Sequence, residues 1–241
     1  MDTLLLIKII TASISVVIAL VAGFIELRLN PKNWLNRWFA LFFISAAMGF
    51  FVYTLYHSIY TTDFYVDQAI IIPLLITAQI LLNLPAVCLV MTVFILEKYK
   101  KIALNYKHLG TMIVLFFIMS IGYFIPTLTP YLNLDDYNNN IINTETNDYL
   151  AIFVNLLRLI LFFYVIFKYA KITQKVEEDT KKRIQWFFGG VVLIIIGVII
   201  NLIGGIFGGA LLGALGETLI EVFALVLLDI GIFIIIKGFL I

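Results

Sequence analysis

Seven apolar runs dominate the chain, at about residues 3–27, 36–59, 67–97, 109–128, 149–168, 184–208 and 216–240. Each is long enough for a helix to cross a hydrocarbon core of ~30 Å at ~1.5 Å per residue. The runs are continuous, which excludes the strand alternation of a membrane β-barrel. With 13% charged residues against 63% hydrophobic ones, the 241-residue chain lacks the charge that coats a soluble domain. The expectation is an all-α integral membrane protein. Residues 1–241 would form one seven-helix bundle, multi-pass in the cell membrane. The first run starts at Thr3 behind Asp2, without a basic leader or a small-residue cleavage site, so it reads as a retained span.

Basic residues set the expected orientation. Arg28, Lys32 and Arg37 follow the first span; Lys98, Lys100, Lys101 and Lys107 follow the third. Lys168, Lys171, Lys175, Lys181, Lys182 and Arg183 follow the fifth, and Lys237 ends the seventh. All other basic residues, Lys8 and Arg158, lie inside spans. The N-terminus and the remaining loops carry acids instead. The positive-inside rule then places the N-terminus outside and the C-terminus in the cytoplasm, which requires an odd number of spans. Trp34, Trp38 and Trp186 would sit at cytoplasmic ends.

The last span, ETLIEVFALVLLDIGIFIIIKGFL, carries Glu217, Glu221 and Asp229. At ~100° per residue they share roughly a third of the helix circumference, so that side faces protein or water rather than lipid. By residue count, Arg158 of the fifth span and Asp229 lie near mid-membrane. An isolated charge there costs ~3 kcal/mol, so a pair is expected. Arg158 reaching outward would meet Glu221 instead, and both partners stay open. Lys8 would snorkel or join Glu217 and Glu221. Asn155, Asn201, Gln79 and Asn83 add amides. Such a cluster is either a staple that locks helix packing or a polar cavity open to the outside. The cavity would bind a small ligand or change protonation. A conduction path is a third option, opposed by the apolar inner halves of the sixth and seventh spans.

Packing and loop signals follow. Gly190, Gly197 and Gly204 recur every seventh residue, and Gly204/Gly208 form a small-xxx-small pair, so one face of the sixth span should admit a second backbone. A short link makes the seventh span its antiparallel neighbour. Asn30-Pro31 reads as a helix start, with Asn30 as cap. Pro85, in the third span, is expected to kink it. The loop from Thr127 to Asn147 is polar and turn-forming, either a lid or merely disordered. KITQKVEEDTKKRIQ reads as a solvated helix end or a docking surface.

Catalytic chemistry is not evident. His57 and His108 fall on opposite sides, and Cys88 stands alone, so neither a zinc set nor an intrachain disulfide is expected. No metal or catalytic residues are assigned, and no cofactor. Lys237 is too near the end of its helix for a retinal Schiff base. A net charge of +1 gives no reason to expect nucleic acid.

Two stretches, NPKNWLNRWFAL (Asn30 to Leu41) and KKRIQWFFGG (Lys181 to Gly190), sit within this seven-span plan. Together they resemble the seven-transmembrane N-terminal sensor region of prokaryotic histidine kinases. The resemblance implies a receptor-like signal-transduction module rather than an enzyme. The family's kinase or cyclase domain does not follow in this sequence, so a separate cytoplasmic signalling protein would read it. The bilayer and, as a possible homodimer, a second copy complete the expected partners. Rival expectations are a small transporter or channel, and a ligand-free structural membrane subunit held through the glycine face.

Overall fold

The computed structural model of the protein describes residues 3–59, 61–98, 106–138, 142, 144–174, 178–204 and 209–240. In chain order the elements are α1 (Thr3–Leu29), α2 (Trp34–His57), α3 (Phe64–Lys98) and α4 (Tyr106–Ile121). A 3-10 turn (Gly122–Phe124), β1 (Tyr131–Leu132), α5 (Leu134–Asn138) and β2 (Thr144–Glu145) come next. The chain then forms α6 (Asp148–Thr173), α7 (Glu178–Ile203) and α8 (Gly209–Leu240). All but α5 are long and apolar enough to cross a membrane, as in a multi-pass membrane protein. Against the sequence expectation, α6 runs a turn further into the lysine-rich loop and α7 begins sooner. That loop is therefore largely helix end rather than free chain.

Six helices close a ring: α1 packs on α2, α2 on α3, α3 on α6, α6 on α7, α7 on α8, and α8 back on α1. α4 leans against α3. Phe43, Leu89, Met91, Val165 and Ile235 fill the interior. Val17, Phe24, Phe117, Phe163 and Phe233 stay exposed, which suits a surface wetted by lipid rather than water.

The tightest seam lies between α7 and α8. A Cβ on Gly190 would stand 2.4 Å from the Gly231 carbonyl oxygen, and one on Gly197 would stand 2.9 Å from that of Ala224. At Gly204 the obstacle is Ile220, at 2.3 Å. The seven-residue glycine repeat is thus used inside the chain, against α8, rather than on another subunit. Gly208 lies outside the described residues.

Helix starts depend on local chemistry. Asn33, not Asn30, caps α2: its side chain accepts from the Leu35 N–H at 3.1 Å. Pro31 instead lies in the turn, where its carbonyl accepts from Arg37 Nε at 2.7 Å. α3 remains one helix through Pro73 and Pro85.

The loop after α4 builds a cap over one end of the ring. β1 and β2 pair antiparallel, Tyr131 opposite Glu145 and Leu132 opposite Thr144. Leu132, Tyr137 and Ile142 are buried against Val52, Tyr56, Ile71 and Leu75 of α2 and α3. The Tyr137 hydroxyl donates to Asp67 at 2.6 Å. Asp67 is fully buried and also accepts from the Thr61 backbone and hydroxyl. One carboxylate therefore ties the α2–α3 turn to the cap. Apolar anchors and this buried acceptor order the described part of the loop, despite its polar, turn-rich sequence.

Candidate functional site

Polar side chains inside the bundle fall into two separate groups. The first is spread along α1. Lys8, Ser15 and Glu26 are spaced by seven and eleven residues, and at ~100° per residue both intervals return to nearly the same face. Ala12, Ala19 and Ala22, all fully buried, lie between them on that side. The stripe therefore faces α2 and α8, while Val17, Val21 and Phe24 face outward.

Three levels result. Nearest the cap, Lys8 Nζ meets Glu221 Oε2 at 2.7 Å, and the Tyr53 hydroxyl donates to the same oxygen at 3.3 Å. Both charged side chains are less than a third exposed. His57, buried, stacks against Tyr53 and Tyr56 with ring centroids 4.2 and 4.3 Å apart, and its Nδ1 lies 3.0 Å from the Tyr53 carbonyl. Tyr56 lies against Thr144 of the cap and within electrostatic reach of Glu221.

At the middle level, the Ser15 hydroxyl donates to Asp229 Oδ2 at 3.0 Å. Asp229 is 7% exposed, and its Oδ1 is buried without a hydrogen-bond partner among the described residues. At the lysine-rich end, Glu26 is 1% exposed. Its Oε2 accepts from Asn36 Nδ2 of α2 at 3.2 Å, and its Oε1 is the second buried oxygen without a partner among the described residues. Tyr169 of α6 lies within electrostatic reach of Glu26, and its hydroxyl shares a 2.9 Å hydrogen bond with Thr92.

The second group joins α3, α4 and α6. Arg158 donates from Nε to Asn83 Oδ1 at 2.9 Å and from Nη1 to Asn155 Oδ1 at 3.1 Å. Its Nη2 donates to the carbonyl and side-chain oxygens of Gln79 at 3.3 and 3.2 Å. Asn83, fully buried, passes the connection on by donating to the Met119 carbonyl at 3.0 Å and to Ser120. The Tyr123 hydroxyl donates to Gln79 Oε1 at 3.5 Å. A guanidinium has five N–H donors, and here four contacts go to neutral oxygens. Chemically, this is a cation dispersed over amide dipoles, with no acid bonded to it among the described residues.

Several expected contacts are therefore corrected. Arg158 meets neither Asp229 nor Glu221. α7 stands between α6 and α8 in the ring, and Asp229 turns to α1 instead. Lys8 does join Glu221, and Asn155 does join Arg158. Asn201 is exposed on α7, outside both groups. The Glu217 side chain lies outside the described residues. Glu26 was missed because it falls at the very end of the first apolar run, where an acid reads as interfacial. Its register with Lys8 and Ser15 was the available signal. Tyr169 and Thr92 carried none, since a hydroxyl in an apolar run is common.

Among the described residues no group of three or more histidine, cysteine or acidic side chains is placed to hold a metal ion. No family model matches the sequence, and no curated protein compared with it matches either.

Proposed function

We propose that the protein is a membrane sensor or receptor-like signal-transduction module that reads a small ligand or a proton at its capped end. The cap end faces the outside and the lysine-rich end the cytoplasm, by the distribution of basic residues. The observation that carries this reading is the chain of contacts from the cap through Tyr56 and Tyr53 to Glu221 and Lys8. Leu132, Tyr137 and Ile142 pack with Tyr56, and Tyr56 meets the Tyr53 ring. The Tyr53 hydroxyl donates to Glu221, whose ion pair with Lys8 bridges α1 and α8. A ligand that displaces the cap, or a proton that neutralises Glu221, alters the force between those helices. Ion pairs enclosed in low dielectric transmit such changes strongly. At the far end Lys237 of α8 lies 4.3 Å from the Trp186 ring of α7, so helix movement arrives at a charged cytoplasmic surface. The resemblance to histidine-kinase sensor regions agrees with this reading, with a separate cytoplasmic protein as receiver.

Trp34, Trp38 and Trp186 all lie towards the lysine-rich end, remote from the cap, and are native reporters. In reconstituted vesicles their emission should change when the medium at the cap is acidified or when a small-metabolite library is added. Lys8→Met should abolish the response. Emission indifferent to every addition rules out the sensor reading.

A further inference from the structure

The α1 stripe carries a second activity, independent of sensing. We propose that Glu221, Asp229 and Glu26 are successive stations of a transmembrane proton route along α1. The argument begins with depth. Ser15 lies seven residues from Lys8, a rise of ~10 Å, and Glu26 eleven further, a rise of ~16 Å. Together the levels cover most of a hydrocarbon core of ~30 Å. Ionisable groups inside spans are costly, and relays of acids are one recurrent reason for them.

Burial and partnering mark Asp229 and Glu26 as stations rather than staples. Among the described residues neither has a cation bonded to it, whereas Glu221, the entry station, is paired with Lys8. Asp229 faces Ser15, and Glu26 faces Asn36 with Tyr169 nearby. Each keeps one enclosed oxygen with no partner among the described residues, the place an acid proton or a transient water occupies. Glu221 is bonded to Lys8 on α1 and to Tyr53 on α2, with Tyr56 and His57 stacked against Tyr53, and it is partly open to water at the cap. Glu26 stands three residues before the end of α1, close to the opposite surface.

The transfer balances. A proton from water at the cap joins the Glu221 carboxylate. Eight residues of α8, a rise of ~12 Å, part Glu221 from Asp229, so transient water carries the proton. As the Glu221 O–H breaks one forms on water, and as the water O–H breaks one forms on Asp229. The same relay takes the proton on to Glu26, which releases it to water at the lysine-rich end. The net change is one proton moved down an imposed gradient. The longer step, from Asp229 to Glu26, passes Ala19 and Ala22 of α1 and Ala47 of α2. These small apolar side chains form the barrier, and water crosses it only when α1 separates from its neighbours. α1 packs on α2 and α8, so the opening is a separation from these two helices.

The test uses full-length protein in phosphatidylcholine–phosphatidylglycerol vesicles with an internal pH dye. A potassium diffusion potential drives protons. Wild type should acidify the lumen several-fold faster than protein-free vesicles. Asp229→Asn and Glu26→Gln, which keep the Ser15 and Asn36 contacts, should each return the rate to background, while Glu97→Gln, on α3 and paired with Lys168 of α6 away from the α1 stripe, should leave it unchanged. If either neutral variant misfolds, dicyclohexylcarbodiimide replaces it: the reagent should block wild-type flux while labelling Asp229 or Glu26. A wild-type rate equal to that of empty vesicles overturns the route, as does flux that survives either substitution or the labelling. Either negative result leaves the fluorescence response of the sensor reading untouched.

Discussion

The Arg158 guanidinium donates to the amide oxygen of Asn83 at 2.9 Å, not to an acid. Arg158 and Asp229 thus lie in different parts of the ring, and amides tie Arg158 to α3, beside the Lys168–Glu97 ion pair and the Thr92–Tyr169 hydrogen bond that also join α3 to α6. Arg158→Leu and Asp229→Asn should therefore act independently on stability, their double-mutant coupling falling within about 0.5 kcal/mol. Arg158→Leu and Asn83→Leu should couple by about 0.5–3 kcal/mol. Unfolding of the single and double variants in mild detergent measures both.

Among the described residues, Lys8→Met leaves Glu221 with the Tyr53 hydroxyl as its hydrogen-bond donor. Stability should fall by about 1–3 kcal/mol, the cost of stranding an enclosed polar group. Adding Glu221→Gln should recover much of that loss, because a neutral amide needs no counter-ion. A double variant no more stable than Lys8→Met alone would show that the pair is not the stabilising contact. Thermal unfolding of the three proteins decides the point.

Glycine substitutions separate a seam from open space. Gly190→Ala pushes a methyl against the Gly231 carbonyl and should destabilise by about 1–3 kcal/mol. Gly110 on α4 has nothing within 4 Å of a built Cβ. Gly110→Ala should be neutral or gain up to ~1 kcal/mol from helix propensity. Melting temperatures of the two variants check the contrast.

Tyr137→Phe removes the hydroxyl that binds Asp67 but keeps the ring against Phe64. Asp67 retains its Thr61 donors, so the loss should be about 0.5–1.5 kcal/mol and confined to the cap. Amide hydrogen exchange should rise in residues 131–138 and stay unchanged in the α7–α8 seam.

Element type was legible in the residues because oil imposes a strict rule: a backbone crossing it must satisfy its own hydrogen bonds. Length and apolarity therefore sufficed to find seven spans. The glycine repeat likewise foretold a close backbone, since a missing side chain has one evident use. Boundaries were less legible: α4 stops early at a 3-10 turn, and α6 extends past its apolar run into charged residues that still form helix. The sequence left a lid and disorder both open for the loop after α4, because such a polar loop is ordered by a few buried anchors, here Leu132, Tyr137 and Asp67, whose partners lie far away in sequence.

By itself the sequence determined which groups lie at which depth, since depth follows from counting along a helix of known rise. Beyond the pairing of α7 with α8, which the short link and the glycine repeat foretold, it did not determine which helix faces which, because azimuth and neighbour depend on the closing of the ring. Placing α7 between α6 and α8 parts Arg158 from Asp229, and closing α8 onto α1 gives Asp229 to Ser15 and Glu221 to Lys8. The partners of a buried charge are chosen by packing between helices, and that choice appears only in three dimensions.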